Sequence, residues 1–382
     1  MKIAHIFSSY PNNYQPYIQY FLDKLKERGN IIKIFSVSPG DIRYKDVVYL
    51  LDDLTSINKL YSLIFNFIKL YKYKKYTGVK WKIAIYNFSR YKSFLDHKEY
   101  IFHIHHISIV HRMLLKFLIC FDIKYCLSIR GSDVTIRLIN DEKQKQRAIE
   151  ALNHAQGIHT ISKYLRNIVI DLGIQSDKIT DIPRLVSEIN FDNKKYNNKK
   201  FHFLTVGRFH WVKGYSYILE ACNQLNNRGI EFYYTICGSN DINLQQYWVN
   251  EQQHLDYLIS LYKLNNNVQL LGFVDQKGLN EEYRKSDIFI CGSINEGLNT
   301  SIIKALQYNK IVVAPNVGGI PEYISNKING LLFNPGDSSD LLNCLLMIIN
   351  KEWKPSSFLP SSYPNNETIL DKFNSFYSNL NI

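Results

Sequence analysis

The sequence predicts an α/β protein of two Rossmann-like domains, each built on a parallel sheet, facing one another across a cleft. Three observations carry this. Apolar runs of strand length alternate with segments of helical spacing along the 382 residues, the pattern of a parallel sheet covered on both faces. The length suffices for two α/β cores, and 46% hydrophobic content excludes general disorder. Between the halves, residues 190–200 (NFDNKKYNNKK) are polar and read as a linker. The expected division is therefore 1–189, linker 190–200, 201–354, and a Pro/Ser/Asn-rich crossing segment with a final helix over 355–382.

In the first half, residues 2–7 are a strand, 8–16 a turn-rich loop and 17–28 a helix stopped by Gly29, with Ile18, Phe21, Leu22 and Leu25 on one face. Residues 31–37 form the next strand. A strand over 100–104 ends in His103-Ile104-His105-His106. A helix follows over 107–120, then a strand over 125–129 that runs into Arg130-Gly131-Ser132-Asp133. A strand over 157–160, a helix over 162–171 and a strand over 178–182 close the domain. The His triplet invites a metal, but no fourth ligand is visible in the sequence, and no metal is expected.

Residues 54–95 hold nine Lys or Arg, no Asp or Glu, and eleven Phe, Tyr or Trp. From 59 to 72 the apolar Leu60, Leu63, Ile64, Phe67, Ile68 and Tyr71 recur at helical spacing, with Lys59, Ser62, Asn66 and Lys69 opposite. Such a helix can lie on an anionic membrane surface or simply cover the sheet. No stacking or groove-reading motif accompanies it, so nucleic acid is not an expected partner.

The second half opens with a strand over 201–206 and the loop Gly207-Arg208-Phe209-His210-Trp211-Val212-Lys213-Gly214. Glycine lets this loop approach a phosphate, and Arg208 and Lys213 supply positive charge. Helices over 215–226 and 244–264 and strands over 231–237 and 268–271 follow, with Gly238 closing one strand and Gly272-Phe273-Val274 the other. Residues 287–291 are a strand, 292–299 a loop, 301–308 a helix, 311–314 a strand and 317–321 a Gly-rich turn. Ligands gather off the carboxyl ends of such strands. There the loop offers the Glu296 carboxylate and then backbone N–H groups entering a helix, a combination suited to a nucleotide sugar. A last pair of helices spans 339–350 and 368–379.

The run Glu296-Gly297-Leu298-Asn299-Thr300-Ser301-Ile302-Ile303-Lys304-Ala305-Leu306 resembles the EG-x(6)-E-A signature of glycosyltransferase family 4, retaining enzymes of the GT-B fold. Gly318-Gly319-Ile320-Pro321-Glu322 and Asn329-Gly330-Leu331-Leu332-Phe333 stand where that family has its Gly-rich pieces, and 206–214 is similar to its VGRLxxxKG loop. The resemblance implies Arg208, Lys213, Glu296 and His105 as catalytic residues. It implies Gly207, Gly238, Val274, Gly297, Leu298, Asn299, Thr300 and Lys304 on the donor side. Arg130 and Asp133, from an RGSD element, and Tyr14 and Gln15 of the first loop would face the acceptor; that loop reads equally as a plain surface turn. In the family a second Glu holds the ribose hydroxyls; here it is Lys304, which donates but cannot accept. The final helix is expected to pack back on the first domain.

The implied reaction moves a sugar with retention from a nucleotide sugar to a hydroxyl of a saccharide, with no cofactor; the absence of a D-x-D motif leaves no requirement for a metal. The alternatives are a non-catalytic partner keeping the fold, and a nucleotide-sugar epimerase or phosphorylase. Charge is unevenly placed: residues 1–184 carry 29 Lys and Arg against 16 Asp and Glu, and residues 185–382 carry 17 against 18. A basic half with an aromatic edge implies a lipid-linked acceptor at the inner face of the plasma membrane, in surface polysaccharide synthesis. No signal-peptide pattern or transmembrane-length run is present in the sequence, so the expected location is cytoplasmic and peripheral. The six cysteines lack a C-x-x-C pair and read as buried thiols.

Overall fold

The computed structural model describes residues 1–11, 16–40, 43–50, 66–136, 138, 141–187, 200–238, 250–358 and 363–380. The chain forms two units, Met1–Ser187 with Pro364–Ile382, and Glu188–Tyr363. Each has its own parallel sheet.

The sheet of the first unit has seven strands: β1 (Lys2–Tyr10), β2 (Ile31–Pro39), β3 (Val47–Tyr49), β4 (Ile101–Ile104), β5 (Tyr125–Ile129), β6 (Gly157–Thr160) and β7 (Ile179–Asp181). Their spatial order is 3-2-1-4-5-6-7. The chain leaves β1 toward one edge and resumes on its other side at β4, so the topological switch lies at the carboxyl ends of β1 and β4. β1 runs three residues beyond the expected strand because Ser9 and Tyr10 still pair with Ser38 and Pro39.

The terminal helix Asn366–Asn379 belongs to this unit, burying Phe373, Phe376 and Tyr377. β6 opens on Gly157, where even a methyl group would meet Leu380 Cδ2 at 2.4 Å. At the helix's other end Arg28 pairs with Asp371 at 2.5 Å and with Glu367.

Two helical expectations change here. The segment expected as one helix over 107–120 is a 3-10 turn, Ile107–Ile109, followed by a helix only from Arg112 to Cys120. His111 makes the break: it is extended, and its Nδ1 accepts from the Met113 and Leu114 N–H groups as a helix cap. The helix expected over 59–72 is described only from Phe67, where it runs to Thr77; residues 51–65 lie outside the described residues. Of the two readings of its apolar stripe, the described part does not turn that stripe onto the sheet. Leu70, Tyr73 and Thr77 are buried, while Phe67, Ile68 and Tyr71 are exposed. Tyr73 decides the rotation, because its ring packs on Phe117 and Phe121 and its hydroxyl donates to the Met113 carbonyl. A second helix, Trp81–Tyr91, not expected from the sequence, pairs with the first.

In the second unit six strands, β8 (Phe201–Val206), β9 (Phe232–Cys237), β10 (Val268–Gly272), β11 (Ile288–Ile290), β12 (Ile311–Pro315) and β13 (Leu331–Phe333), lie in the order 10-9-8-11-12-13. The switch falls between β8 and β11. Phe203, Ile236, Ile290 and Val313 of the sheet pack with Ile218, Leu219 and Cys222 of helix Tyr215–Asn227 and Leu341, Leu342 and Leu345 of helix Ser338–Ile349. Burying each large aliphatic chain contributes about 1.5–3 kcal/mol. The helix expected over 244–264 is described from Glu251, behind a capping box of Asn250 and Gln253.

All six cysteines are buried and free of disulfides. Among the described residues, no helix is long and apolar enough to cross a membrane.

Candidate functional site

In the second unit, the carboxyl ends of β8 and β11 bring the two loops marked out by sequence into contact. After β8, the Gly207 N–H donates to the Cys237 carbonyl and the Gly238 N–H to the Gly272 carbonyl, so the ends of β8, β9 and β10 step side by side. The loop then turns through Trp211–Lys213, held by the Nδ1 of His210 accepting from the Val212 N–H, and reaches Gly214 at φ 62°. A side chain on Gly214 would be strained by that angle and would meet the Gly292 carbonyl oxygen at 2.0 Å. Gly214 is glycine because the two loops touch backbone to backbone.

That contact delivers Lys213 to Glu296. Lys213 Nζ donates to Glu296 Oε2 at 2.6 Å, and Ser293 Oγ and Asn299 Nδ2 donate to the same oxygen at 3.4 Å. From the other side Gly318, at φ 60°, lies so close that an added Cβ would be 1.9 Å from the Glu296 carbonyl oxygen, and the Gly319 N–H donates to that oxygen at 3.0 Å. Glu296 is thus fixed at backbone and side chain alike.

The helix behind it, Thr300–Gln307, starts at Asn299, whose side chain accepts from the Ser301 and Ile302 N–H groups. The Asn299 N–H donates to the buried Tyr323 hydroxyl at 3.0 Å. Burial, and secondarily the Glu296 charge, pushes that phenol well above its ordinary pKa and keeps it protonated. Asn299 therefore serves as a scaffold for the site, and among the described residues the neighbouring Leu298 and Thr300 N–H groups have no protein partner. Arg208 is exposed on the β8 loop, and Val274 is half-buried just beyond β10.

Lys304 is not gathered into this cluster of contacts. It is buried within its helix, with Nζ 5.5 Å from the centre of the Tyr283 ring. Burial lowers its pKa to about 8.

In the first unit, His105 sits just past β4, at the switch. Arg130 donates to His105 Nδ1. A guanidinium only donates, so Nδ1 is unprotonated and Nε2 carries the hydrogen. Nε2 then donates to His5 Nδ1 at 2.7 Å, which leaves the hydrogen of His5 on its buried Nε2, an atom with no partner among the described residues. A second chain runs beside it. The Ile182 carbonyl accepts from His159 Nε2, so His159 Nδ1 accepts from Ser128; Ser128 accepts from His103 Nε2, and His103 Nδ1 accepts from the Tyr377 hydroxyl. All four rings are neutral: burial holds His5 and His159 down to about 3, and His103 and His105 well below their ordinary value.

His5, His103 and His105 bring ligand-capable nitrogens within 4.8 Å of one another. Both nitrogens of His103 and of His105 are already hydrogen-bonded, and Arg130 is adjacent, so this donor set suits a hydrogen-bond network rather than a cation.

Asp133 is 1% exposed, and its carboxylate accepts from the Arg130 and Gly131 N–H groups, holding the turn that aims Arg130. Tyr14 and Gln15 lie outside the described residues. Sequence reasoning missed His5, Tyr17, Ser128, His159, Arg184 and Tyr377. A signal existed for the histidines: His5, His103 and His159 each follow an apolar residue inside a strand.

Residues 186–358 match the family model described as Glycosyl transferases group 1. The chain is 28% identical over 236 residues to the amylovoran biosynthesis glycosyltransferase AmsK of Erwinia amylovora, covering 58% of this chain and 54% of that protein. The chain spans about half the length of the curated relatives it matches first. Among solved structures it resembles HepE of Anabaena in complex with UDP-glucose, with a TM-score of 0.70 at 15% identity over 100% of this chain and 99% of that one. It also resembles the lipopolysaccharide outer core galactosyltransferase WaaB, with a TM-score of 0.69 at 14% identity over 99% of both. The chain has the GT-B fold, and its second unit carries the sequence pattern of the group 1 glycosyl transferases.

Proposed function

We propose that the protein is a retaining, metal-independent glycosyltransferase. It would move a sugar from a nucleotide-sugar donor to a hydroxyl of a lipid-linked saccharide, in the building of a surface polysaccharide. The observation that carries this is the Lys213–Glu296 contact, fixed between two glycine-lined loops at the switch of the second sheet. The named activity of AmsK and the UDP-glucose bound by HepE support the same reading.

Breaking the anomeric bond leaves an oxocarbenium-like sugar and a diphosphate that gains negative charge. Lys213, Arg208 and the Leu298 and Thr300 N–H groups would stabilise that charge; losing one such group costs roughly 10²–10³ in rate. Glu296, oriented by Lys213, would hold sugar hydroxyls and set the angle of attack. The acceptor hydroxyl attacks the anomeric carbon from the leaving-group face. Its proton passes to the departing phosphate oxygen, so no protein base is needed.

A peripheral position on the inner membrane face is supported by the helices Phe67–Thr77 and Trp81–Tyr91. Phe67, Ile68, Tyr71, Trp81 and Ile83 are exposed beside the exposed Lys69, Lys72, Lys75, Lys80 and Lys82. Each lysine near an anionic surface adds on the order of 1 kcal/mol. Flotation with phosphatidylserine vesicles at low and high salt tests this, and failure to float at low salt removes it.

Screening nucleotide sugars by thermal stabilisation tests the donor; NMR of the product's anomeric configuration tests retention. A donor that is consumed without acceptor would indicate an epimerase. Nucleotide binding without turnover on any saccharide would favour a non-catalytic partner.

A further inference from the structure

One charged group of the second unit has no part in the chemistry set out above. Lys304, on the helix Thr300–Gln307, is 8% exposed. Its ammonium stands 5.5 Å from the centre of the Tyr283 ring, itself 1% exposed, so the charged end as well as the stem lies against the protein. Its place along the helix follows from one contact and one rule of helix geometry. The Tyr283 hydroxyl donates at 3.1 Å to the carbonyl of Ser301, the second residue of the helix, so the ring beside Lys304 lies against the first turn. Helical side chains also lean toward the amino end of their helix, and Thr300 is the residue one turn before Lys304 on the same face. One turn is about 5.4 Å of rise, within reach of a lysine side chain.

A cation is thereby set beside a helix end that already favours negative charge. The Leu298 and Thr300 N–H groups are open there, and the positive end of the helix dipole adds to them. Among the described residues no carboxylate, carbonyl or hydroxyl accepts from Lys304, and burial is the one cause that moves its pKa. The titratable groups beside it are the phenols of Tyr283 and of Tyr308, stacked on Tyr283 at 5.4 Å, both held protonated by burial; Arg284 stands over the Tyr308 ring. An aromatic face returns only part of the hydration that a buried ammonium loses. An anion at the amino end of the helix would supply the missing counter-charge. Phosphate oxygens suit both partners, accepting from backbone N–H groups and from an ammonium alike.

We infer that Lys304 is a further cation for the donor's diphosphate, meeting it from the helix side while Lys213 meets it from the β8 loop. The inference rests on the donor reading above and adds a residue to it. A buried charge that the fold alone does not compensate is then compensated by the ligand. Binding of the diphosphate requires the ammonium form, so affinity falls as pH rises through the value of about 8 that Lys304 has in the free protein.

Calorimetric titration of the full chain with UDP, GDP, inorganic pyrophosphate and uridine tests it, in the wild type, Lys304→Met and Lys304→Gln. Both variants should bind the diphosphates roughly 10- to 100-fold more weakly, while any binding of uridine, which carries no phosphate, should not change. Between pH 7 and pH 9 the affinity of the wild type should fall about tenfold, and both variants should lack that fall. A lysine with a merely structural role would leave the pH slope as it is. Equal binding of UDP or GDP by the wild type and both variants overturns the inference and leaves the donor reading intact. Pyrophosphate bound in a Lys304-dependent way, with neither nucleotide bound, would defeat the donor reading and leave the anion site standing. No binding of any diphosphate defeats both.

Discussion

Lowering the pH from 7.5 to 5.5 should destabilise the first unit selectively and steeply. His5, His103, His105 and His159 are between 0% and 4% exposed, and each ring is neutral in the fold. In the unfolded chain each titrates near 6.5. The folded values are lowered, so the unfolded chain binds more protons between 6.5 and the folded values. Stability is therefore complete above pH 6.5 and is lost as pH falls through that window. Between pH 7.5 and 5.5 each ring contributes about 1.4 kcal/mol of loss, and four contribute about 5 kcal/mol, comparable to the whole stability of many domains. Hydrogen exchange of peptides from β4, β5 and β6, corrected for the intrinsic pH dependence of exchange, reads the opening free energy directly. His103→Gln should reduce the slope by about a fifth, because burial also holds His111 down to about 4 and adds a fifth neutral ring, provided the variant folds at pH 7.5. An opening free energy that stays flat from pH 7.5 to 5.5 would refute the neutral network, and with it the argument that Arg130 is held by an unprotonated His105 nitrogen.

Other consequences can be checked separately. Glu296→Gln removes the charge that orients Lys213 and should lower turnover roughly 10²–10³-fold while leaving the circular dichroism spectrum unchanged. Gly214→Ala should cost roughly 1–3 kcal/mol from φ alone, and more because its Cβ would displace the Gly292 carbonyl; urea denaturation of the second unit measures it. Lys304→Met should stabilise the second unit by roughly 1–2 kcal/mol at pH 7, since relief of a buried charge outweighs the lost contact with the Tyr283 ring. In the wild type the lowered pKa of about 8, against 10.5 unfolded, means stability rises with pH between those values, and Lys304→Met should abolish that rise.

What the sequence made legible differs between the units for physical reasons. In the second unit the chemistry sits in contiguous loops: Gly207 to Gly214 and Gly292 to Asn299 are each local in sequence, and their meeting follows from strand order alone. The glycines advertise the approach because no other residue fits where Gly214 faces Gly292 and Gly318 faces Glu296. In the first unit the network is assembled from five distant segments, with β1, β4, β5, β6 and the terminal helix each giving one or two side chains. Parallel-sheet register sets His5 beside His103 and Ser128 beside His159, and that register is not readable from either strand by itself. Arg184 was hidden similarly, since nothing local distinguishes it from a solvated cation after Pro183. In the basic helix the sequence left open which face turns inward. Its apolar periodicity was real, but Leu70 and Tyr73 proved the inward residues, leaving Phe67, Ile68 and Tyr71 exposed. Periodicity gives a stripe; contact with Phe117 and Met113 decides which way the helix is turned.

The most direct test of the central claim is calorimetric titration of the wild type and of Lys213→Ala with a panel of nucleotide sugars. Lys213 acting on the donor diphosphate and Glu296 on the sugar hydroxyls predict micromolar binding of at least one member by the wild type, weakened roughly 10- to 100-fold in Lys213→Ala. No binding across the panel, or equal binding by both proteins, would contradict the assignment of this site.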